Sequence, residues 1–331
     1  MQITDRQKYL GDLVLSSAKL DDNIEERYKK GLGIISQIIS LLKEISFGNY
    51  YFQMAIIFRN ALLINSVLLN IEAAYQIKVK HIDCLESLDN ILWSKVFQSP
   101  STTASESYFC ELNIIPMRFI IITRRLMYYW TILNKETNQL VKQVFNLQSK
   151  VQIQNDWIYL VQADLGHLGI SMETDEIMSL SKEAFRKIVN VKIRAPCDNY
   201  VEQMIKKHSK TKGLTIGLDE IQPYLTSKQL SVKMKQTLFS LRVRSANTKV
   251  NYRNKFLSDL SCRYCDSSEQ EDYSHLLKCE KLIVTDEMKR ESQRVSVQHI
   301  FGTLSEQISA AKLWNKIFRE ISKTSGPSLL I

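Results

Sequence analysis

Residues 22–42 read Asp22-Asn23-Ile24-Glu25-Glu26-Arg27-Tyr28-Lys29-Lys30-Gly31-Leu32-Gly33-Ile34-Ile35-Ser36-Gln37-Ile38-Ile39-Ser40-Leu41-Leu42. Asp22 and Asn23 are residues that cap helices. Glu25 and Glu26, three positions after each, can return a carboxylate to the free amide donors of a first turn. Behind them Leu32, Ile35, Ile38, Ile39 and Leu42 recur at helical spacing, giving one apolar and one polar face. This pattern sets the expected class, a mostly α fold.

The chain outward from this helix keeps the same character. Gly48-Asn49 breaks it. A second helix is expected over residues 51–75. A third follows over 79–97, with Ile82, Leu85, Leu88, Ile91 and Leu92 on one face. Pro100-Ser101-Thr102-Thr103 reads as a loop, and Pro116 suits the first turn of a fourth helix running to residue 133. Residues 21–150 thus form an expected helical domain behind a short segment, 1–20. Asn155-Asp156 precedes Trp157 and a short helix that ends near 166–169. Residues 181–212 read as basic helix broken at Pro196, closing a connector over 151–225. A helix over 227–245 leads into a cysteine-bearing module (226–285). A tail (286–331) carries an amphipathic helix over 304–321. There is no internal repeat and no low-complexity tract.

Composition agrees with a packed helical protein. The chain has 331 residues, 44% of them apolar, with only 10 glycines and 5 prolines. The first residues lack the basic and apolar regions of a secretory signal. The most apolar stretch, residues 54–71, is interrupted by Arg59, Asn60, Asn65 and Asn70. A span needs about 20 mostly apolar residues, so a buried core helix is expected and no membrane partner. Of the six cysteines, Cys84, Cys110 and Cys197 are scattered as in reduced proteins, pointing to cytosol or nucleus. A formal net charge of +9 suggests a polyanion partner.

The other three cysteines stand as Cys262-Arg-Tyr-Cys265, then nine residues, then His275-Leu-Leu-Lys-Cys279. Zinc favours four tetrahedral nitrogen or sulfur donors, and a Cys-x-x-Cys turn delivers two sulfurs to one ion without strain. His275 and Cys279 are four apart, so one helical turn aims both at the same point. One structural zinc held by Cys262, Cys265, His275 and Cys279 is therefore expected. Four protein ligands leave no open position for catalysis. Asp266, Glu269, Glu271 and Asp272 in the intervening loop are read as extra negative charge rather than ligands.

Lysines and arginines lead into this motif with almost no acidic residue among them. Lys233, Lys235, Arg242, Arg244, Lys249, Arg253, Lys255 and Arg263, with Tyr252 as a base-stacking ring, form the expected nucleic-acid contact set, RNA or DNA, mainly through phosphates. The alternative is a solvated helix face whose aromatics pack inward. A similar split applies to the basic stretch from Arg186 through Lys212. Gly31-Leu32-Gly33 lies inside a helical pattern with no preceding strand, so it is no phosphate loop. No Gly-x-Ser-x-Gly elbow or second Cys–His pairing suggests a nucleophile, and no catalytic residue is expected.

Several stretches together resemble the C-terminal region of non-LTR retrotransposon reverse transcriptases. These are Leu238-Phe239-Ser240-Leu241-Arg242-Val243-Arg244, Asn251-Tyr252-Arg253-Asn254-Lys255-Phe256, Glu271-Asp272 and His275-Leu276-Leu277. Nearer the N-terminus, Lys8-Tyr9-Leu10-Gly11-Asp12 looks like the strand segment that closes the palm of such polymerases. Ile24-Glu25-Glu26-Arg27, Gly33-Ile34-Ile35-Ser36 and Ser105-Glu106-Ser107 with Leu112, Ile115 and Pro116 look like the helical region after it. The resemblance implies a multi-helix, thumb-like domain, a basic connector and a zinc-binding tail, with residues 1–20 as the end of a palm. It implies no polymerase site. That site needs an aromatic-x-Asp-Asp hairpin to hold metal, and the only Asp-Asp pair here, Asp21-Asp22, reads as a helix cap.

Overall fold

The computed structural model describes residues 6–9, 12–15, 20–44, 48–74, 77–151, 156–211, 214, 220–252 and 259–325. They are mostly helical. Strands β1 (Arg6–Tyr9) and β2 (Asp12–Leu15) pair antiparallel with Tyr9 opposite Asp12. Leu10 and Gly11 lie outside the described residues.

Helix α1 (Leu20–Glu44) begins two residues ahead of the expected cap. Asp21 and Asp22 therefore sit in its first turn rather than before it. Asp21 accepts hydrogen bonds from Lys80 and His81, which hold its carboxyl down to about 2. Gly31 has a packing role in the middle of the helix: a Cβ there would meet Leu88 Cδ1 at 2.5 Å.

The apolar run over residues 54–71 is not one regular helix. Helix α2 (Tyr51–Phe58) passes into a π-helical segment, Arg59–Ile64, and a last turn, Asn65–Val67. Arg59 is 1% exposed and forms a two-pronged pair with Asp89, Nε to Oδ1 at 2.6 Å and Nη2 to Oδ2 at 2.5 Å. Its second Nη2 bond reaches Ile115 O at 3.0 Å. A buried guanidinium is tolerable only when paired and fully bonded. Among the described residues no helix is long and apolar enough to cross a membrane.

Helices α3 (Val79–Phe97), α4 (Ser105–Leu112) and α5 (Met117–Leu133) follow, with Pro116 as the residue before α5. Then come α6 (Leu140–Val151), α7 (Trp157–His167), α8 (Thr174–Ser179), α9 (Lys182–Lys192) and α10 (Arg194–Lys207). The expected break at Pro196 falls instead at Ile193. Pro196 sits in the first turn of α10, where its missing N–H has no helical acceptor to lose. The remaining helices are α11 (Pro223–Thr226), α12 (Val232–Arg242), α13 (Tyr273–Leu276), α14 (Asp286–Arg294) and α15 (Leu304–Ser325).

The chain divides into two compact units, each drawn from three stretches. One comprises Met1–Ile38, Ile57–Asp89 and Ile115–Glu202; the other comprises Ile39–Ile56, Asn90–Ile114 and Gln203–Ile331. These are not the five consecutive segments expected from the sequence. The first unit packs α5 against α7, α8 and α9 around Leu126, Trp157, Val161, Phe185 and Val189. The second is centred on Phe97, whose ring stacks on Phe239 at 3.9 Å and on Tyr108 at 5.8 Å. In this unit α12 lies along α15, burying Leu238, Phe239, Trp314 and Ile317.

Candidate metal centre

All four residues of the Cys/His motif lie in the second unit. A short antiparallel bridge between Ser261 and Gln270 closes a hairpin, with Cys262 N donating to Glu269 O at 3.0 Å. The turn of this hairpin carries Cys262 and Cys265. Asp272 caps α13, its Oδ1 accepting from His275 N at 2.8 Å. The cap fixes the single turn that presents His275. Cys279 stands past the end of α13, where the chain turns so that Lys278 N donates to His275 O at 2.8 Å.

The ligand atoms of Cys262, Cys265, His275 and Cys279 all lie within 4.8 Å of one another. Cys262 Sγ is 4.0 Å from Cys279 Sγ, and Cys265 Sγ is 3.3 Å from His275 Nε2. The sulfurs are far outside the roughly 2.05 Å of a disulfide, and all three are free thiols. Cys262, His275 and Cys279 are buried and Cys265 is half-buried. The cluster can hold one metal ion.

Glu269, read from sequence only as loop charge, has a defined place. Its Oε2 lies 2.7 Å from His275 Nδ1. A carboxylate there accepts a hydrogen bond from Nδ1–H and leaves the Nε2 lone pair facing the sulfurs, the usual outer-shell arrangement of a metal-bound histidine. Burial lowers the imidazole's proton affinity, but the bonds to Glu269 and Cys265 outweigh it and leave its pKa raised. The thiols differ. The Ser267 hydroxyl brings Cys265 down to about 6, whereas burial pushes Cys279 up to about 12 and Cys262 upward as well. Cys262 and Cys279 therefore favour their thiol forms on their own, and a cation must displace those protons to bind.

Arg263, between the two hairpin cysteines, faces the protein. Its Nε and Nη2 reach Glu271 at 2.8 and 2.6 Å, its backbone N donates to the same carboxylate, and Nη2 also donates to Asn247 O at 3.0 Å. Glu271 has no exposure and further accepts from Lys249 N at 3.1 Å. The pair ties the hairpin to the segment before it.

The basic residues leading into the motif do not share one surface. Lys235 is fully buried, with Nζ 3.4 Å from Asn49 O, and burial lowers its pKa. Arg242 is 3% exposed; its Nε donates to Glu111 Oε1 at 2.8 Å and its Nη1 to Ile300 O at 2.7 Å. Lys249 is buried, with Nζ 2.8 Å from Asp259 Oδ2. These three, with Arg263 turned inward, are withdrawn from the expected phosphate-facing set. For Lys235 and Arg242 the physical reason is that seven of the eleven α12 residues are buried, whereas Lys249 and Arg263 are drawn inward by Asp259 and Glu271. Lys233 is exposed and donates to Gln98 Oε1 at 3.2 Å, and Arg244 is exposed at a left-handed φ of 50°. Tyr252 is half-buried: its hydroxyl donates to Ser245 O at 3.0 Å and Lys210 Nζ sits 4.8 Å above its ring. Arg253 and Lys255 lie outside the described residues.

No protein-family model, curated protein or solved structure matches this chain.

Proposed function

We propose that the chain is a nucleic-acid-binding protein stabilised by one structural zinc ion, with no catalytic activity of its own. The observation that carries the zinc assignment is the convergence of three cysteine sulfurs and His275 Nε2 within 4.8 Å. Around a tetrahedral zinc with ordinary bond lengths, two sulfurs stand about 3.8 Å apart and a sulfur and a nitrogen about 3.6 Å. The observed 4.0 and 3.3 Å straddle those values. Thiolate-rich donor sets select zinc over the harder divalent ions. Four protein donors close the coordination sphere, so the ion's work is to hold the hairpin, α13 and the chain beyond it together.

Nucleic-acid binding is supported by the +9 formal charge, by exposed Lys233 and Arg244, and by the resemblance to the post-palm region of non-LTR retrotransposon reverse transcriptases. In that reading the chain grips template or target strands for a polymerase whose metal-binding aspartates lie elsewhere. Asp21, paired to Lys80 and His81, has the surroundings of a helix-end ion pair rather than a catalytic metal ligand. The burial of Lys235, Arg242 and Lys249 favours a second reading, a zinc-stabilised scaffold for another protein. Metal analysis together with salt-dependent binding to RNA and DNA tests both. About one zinc per chain and salt-sensitive binding are expected; zinc without nucleic-acid binding selects the scaffold.

A further inference from the structure

The second unit contains a cleft of about 970 Å³. Its walls are α12, α15, the residues 97–102 and the metal-binding hairpin. The volume suits a small-ligand site, and the lining is mixed in a particular way. Two polar side chains, Thr237 on α12 and Asn315 on α15, are each 5% exposed and line the cleft. Neither side chain takes a hydrogen-bond partner among the described residues. Neither has a polar atom among the fully enclosed unpartnered ones, so both open to the cleft, where a ligand's donors and acceptors can reach them. The rings of Tyr264 and Phe318 are half-buried in the same walls, and exposed Lys233 and Arg319 also line them. Aromatic faces, unpaired amide and hydroxyl groups and cations thus meet in one cleft.

We propose that this cleft receives an unpaired nucleotide of a single-stranded nucleic acid. The inference rests on the nucleic-acid reading above and adds where the strand enters and in what form. A base has a π-face for Tyr264 or Phe318 and an edge of donors and acceptors that satisfies Asn315 and Thr237. Its phosphates fall to Lys233 and Arg319. A base pair inside a duplex can offer none of its faces to such a cleft, because both are stacked on neighbours. Duplex binding would use exposed cations alone, so the cleft confers a preference for single strands.

The test uses the zinc-loaded full chain and fluorescence anisotropy. Its probes are a short labelled single-stranded RNA of mixed sequence and the same strand annealed to its complement. Tyr264→Ala and Asn315→Leu are each expected to weaken single-strand binding about ten-fold, the scale of losing one stacked or edge-bonded base. Duplex affinity should stay within about two-fold by the same phosphate argument. Asn315→Leu replaces an amide that bonds no described residue with an apolar group of similar size, so its thermal stability should stay close to that of the wild type. It also lies on a different element from the metal ligands, which keeps the test sound if Tyr264→Ala sheds zinc. Wild-type affinities in Asn315→Leu for both probes would overturn the cleft while leaving nucleic-acid binding intact. Equal losses on both probes would likewise overturn it. Binding of neither probe by the wild type would remove the nucleic-acid reading and the cleft assignment with it.

Discussion

Glu269 Oε2 lies 2.7 Å from His275 Nδ1, although Glu269 stands on the hairpin and His275 on α13. The contact fixes which imidazole nitrogen faces Cys262, Cys265 and Cys279. Removing such an outer partner typically lowers metal affinity by about 10–100-fold. Glu269→Ala is expected to fall in that range while still binding one equivalent. Glu269→Gln, whose amide oxygen can still accept from Nδ1–H, should lose less. Competition with a chromogenic zinc chelator measures both. An affinity unchanged in Glu269→Ala would mean that the carboxylate is only a surface neighbour.

Replacing a ligand itself should do more. Cys265→Ser or His275→Ala is expected to leave the chain without bound zinc. A structural ion contributes on the order of 10 kcal/mol to a small module, so residues 260–283 should become protease-sensitive. The first unit, with its own core around Leu126 and Phe185, should resist. Limited proteolysis with mass spectrometry, beside elemental analysis, reads both. Equal zinc content in wild type and variants would refute the ligand set.

Arg242 belongs to stability rather than to any partner's phosphates. It and Glu111 are 3% and 0% exposed and are joined at 2.8 Å across 131 residues of sequence. Breaking a buried pair from one side strands the other charge and costs about 3–5 kcal/mol. Arg242→Ala should therefore lower the urea midpoint sharply. The double change Arg242→Met with Glu111→Met should be milder than either single change. A single change that left the midpoint in place would show that this site is open to water.

This pair also marks what could and could not be read in the sequence. The helical class was legible because Leu32, Ile35, Ile38 and Ile39 carry their period locally, and the metal cluster because Cys262 to Cys279 spans one short segment. The surface of the basic stretch was not legible. Nothing near Arg242 announces that its acid is Glu111, or that Lys235 ends at the carbonyl of Asn49. A one-signed run reports what local partners are missing and is silent on distant ones. The contact of Glu269 with His275 was hidden for the opposite reason: Glu269 is local, but its use depends on the hairpin register set by the Ser261–Gln270 bridge. The π-helical segment after Phe58 was hidden too, since an apolar run has the same composition whichever helix it forms.

Asp164 should give the first unit a pH-dependent stability. Burial pushes its carboxyl up to about 6, against the pull of Arg125 at 2.9 Å. The native state then binds a proton between about pH 4 and 6 that the unfolded chain releases, so stability falls as pH rises through that window. A shift of about two pH units corresponds to roughly 3 kcal/mol. Asp164→Asn removes the titration and should flatten the profile there, as followed by urea unfolding from pH 4 to pH 7. Parallel profiles for the two proteins would show that Asp164 titrates normally.

The exposed cations should govern how affinity responds to salt. Lys233, Arg244 and Arg319 are exposed, whereas Lys235, Arg242 and Lys249 are buried. Each phosphate neutralised on duplex DNA contributes about −0.9 to the slope of log affinity against log salt. If about five are neutralised, the wild type should show a slope of about −4.5. Changing Lys233, Arg244 and Arg319 together to alanine should flatten it by up to about three and weaken all sequences alike. Changing Lys249 should instead act through folding, because its ammonium is held by Asp259. A salt series by anisotropy on one duplex separates the two behaviours, since a folding defect lowers the active fraction without altering the slope. A triple variant with the wild-type slope would place the phosphate contacts on other residues. Such a result would turn attention to the exposed face of α9, where Arg186, Lys187 and Lys192 stand clear of the core formed by Phe185 and Val189.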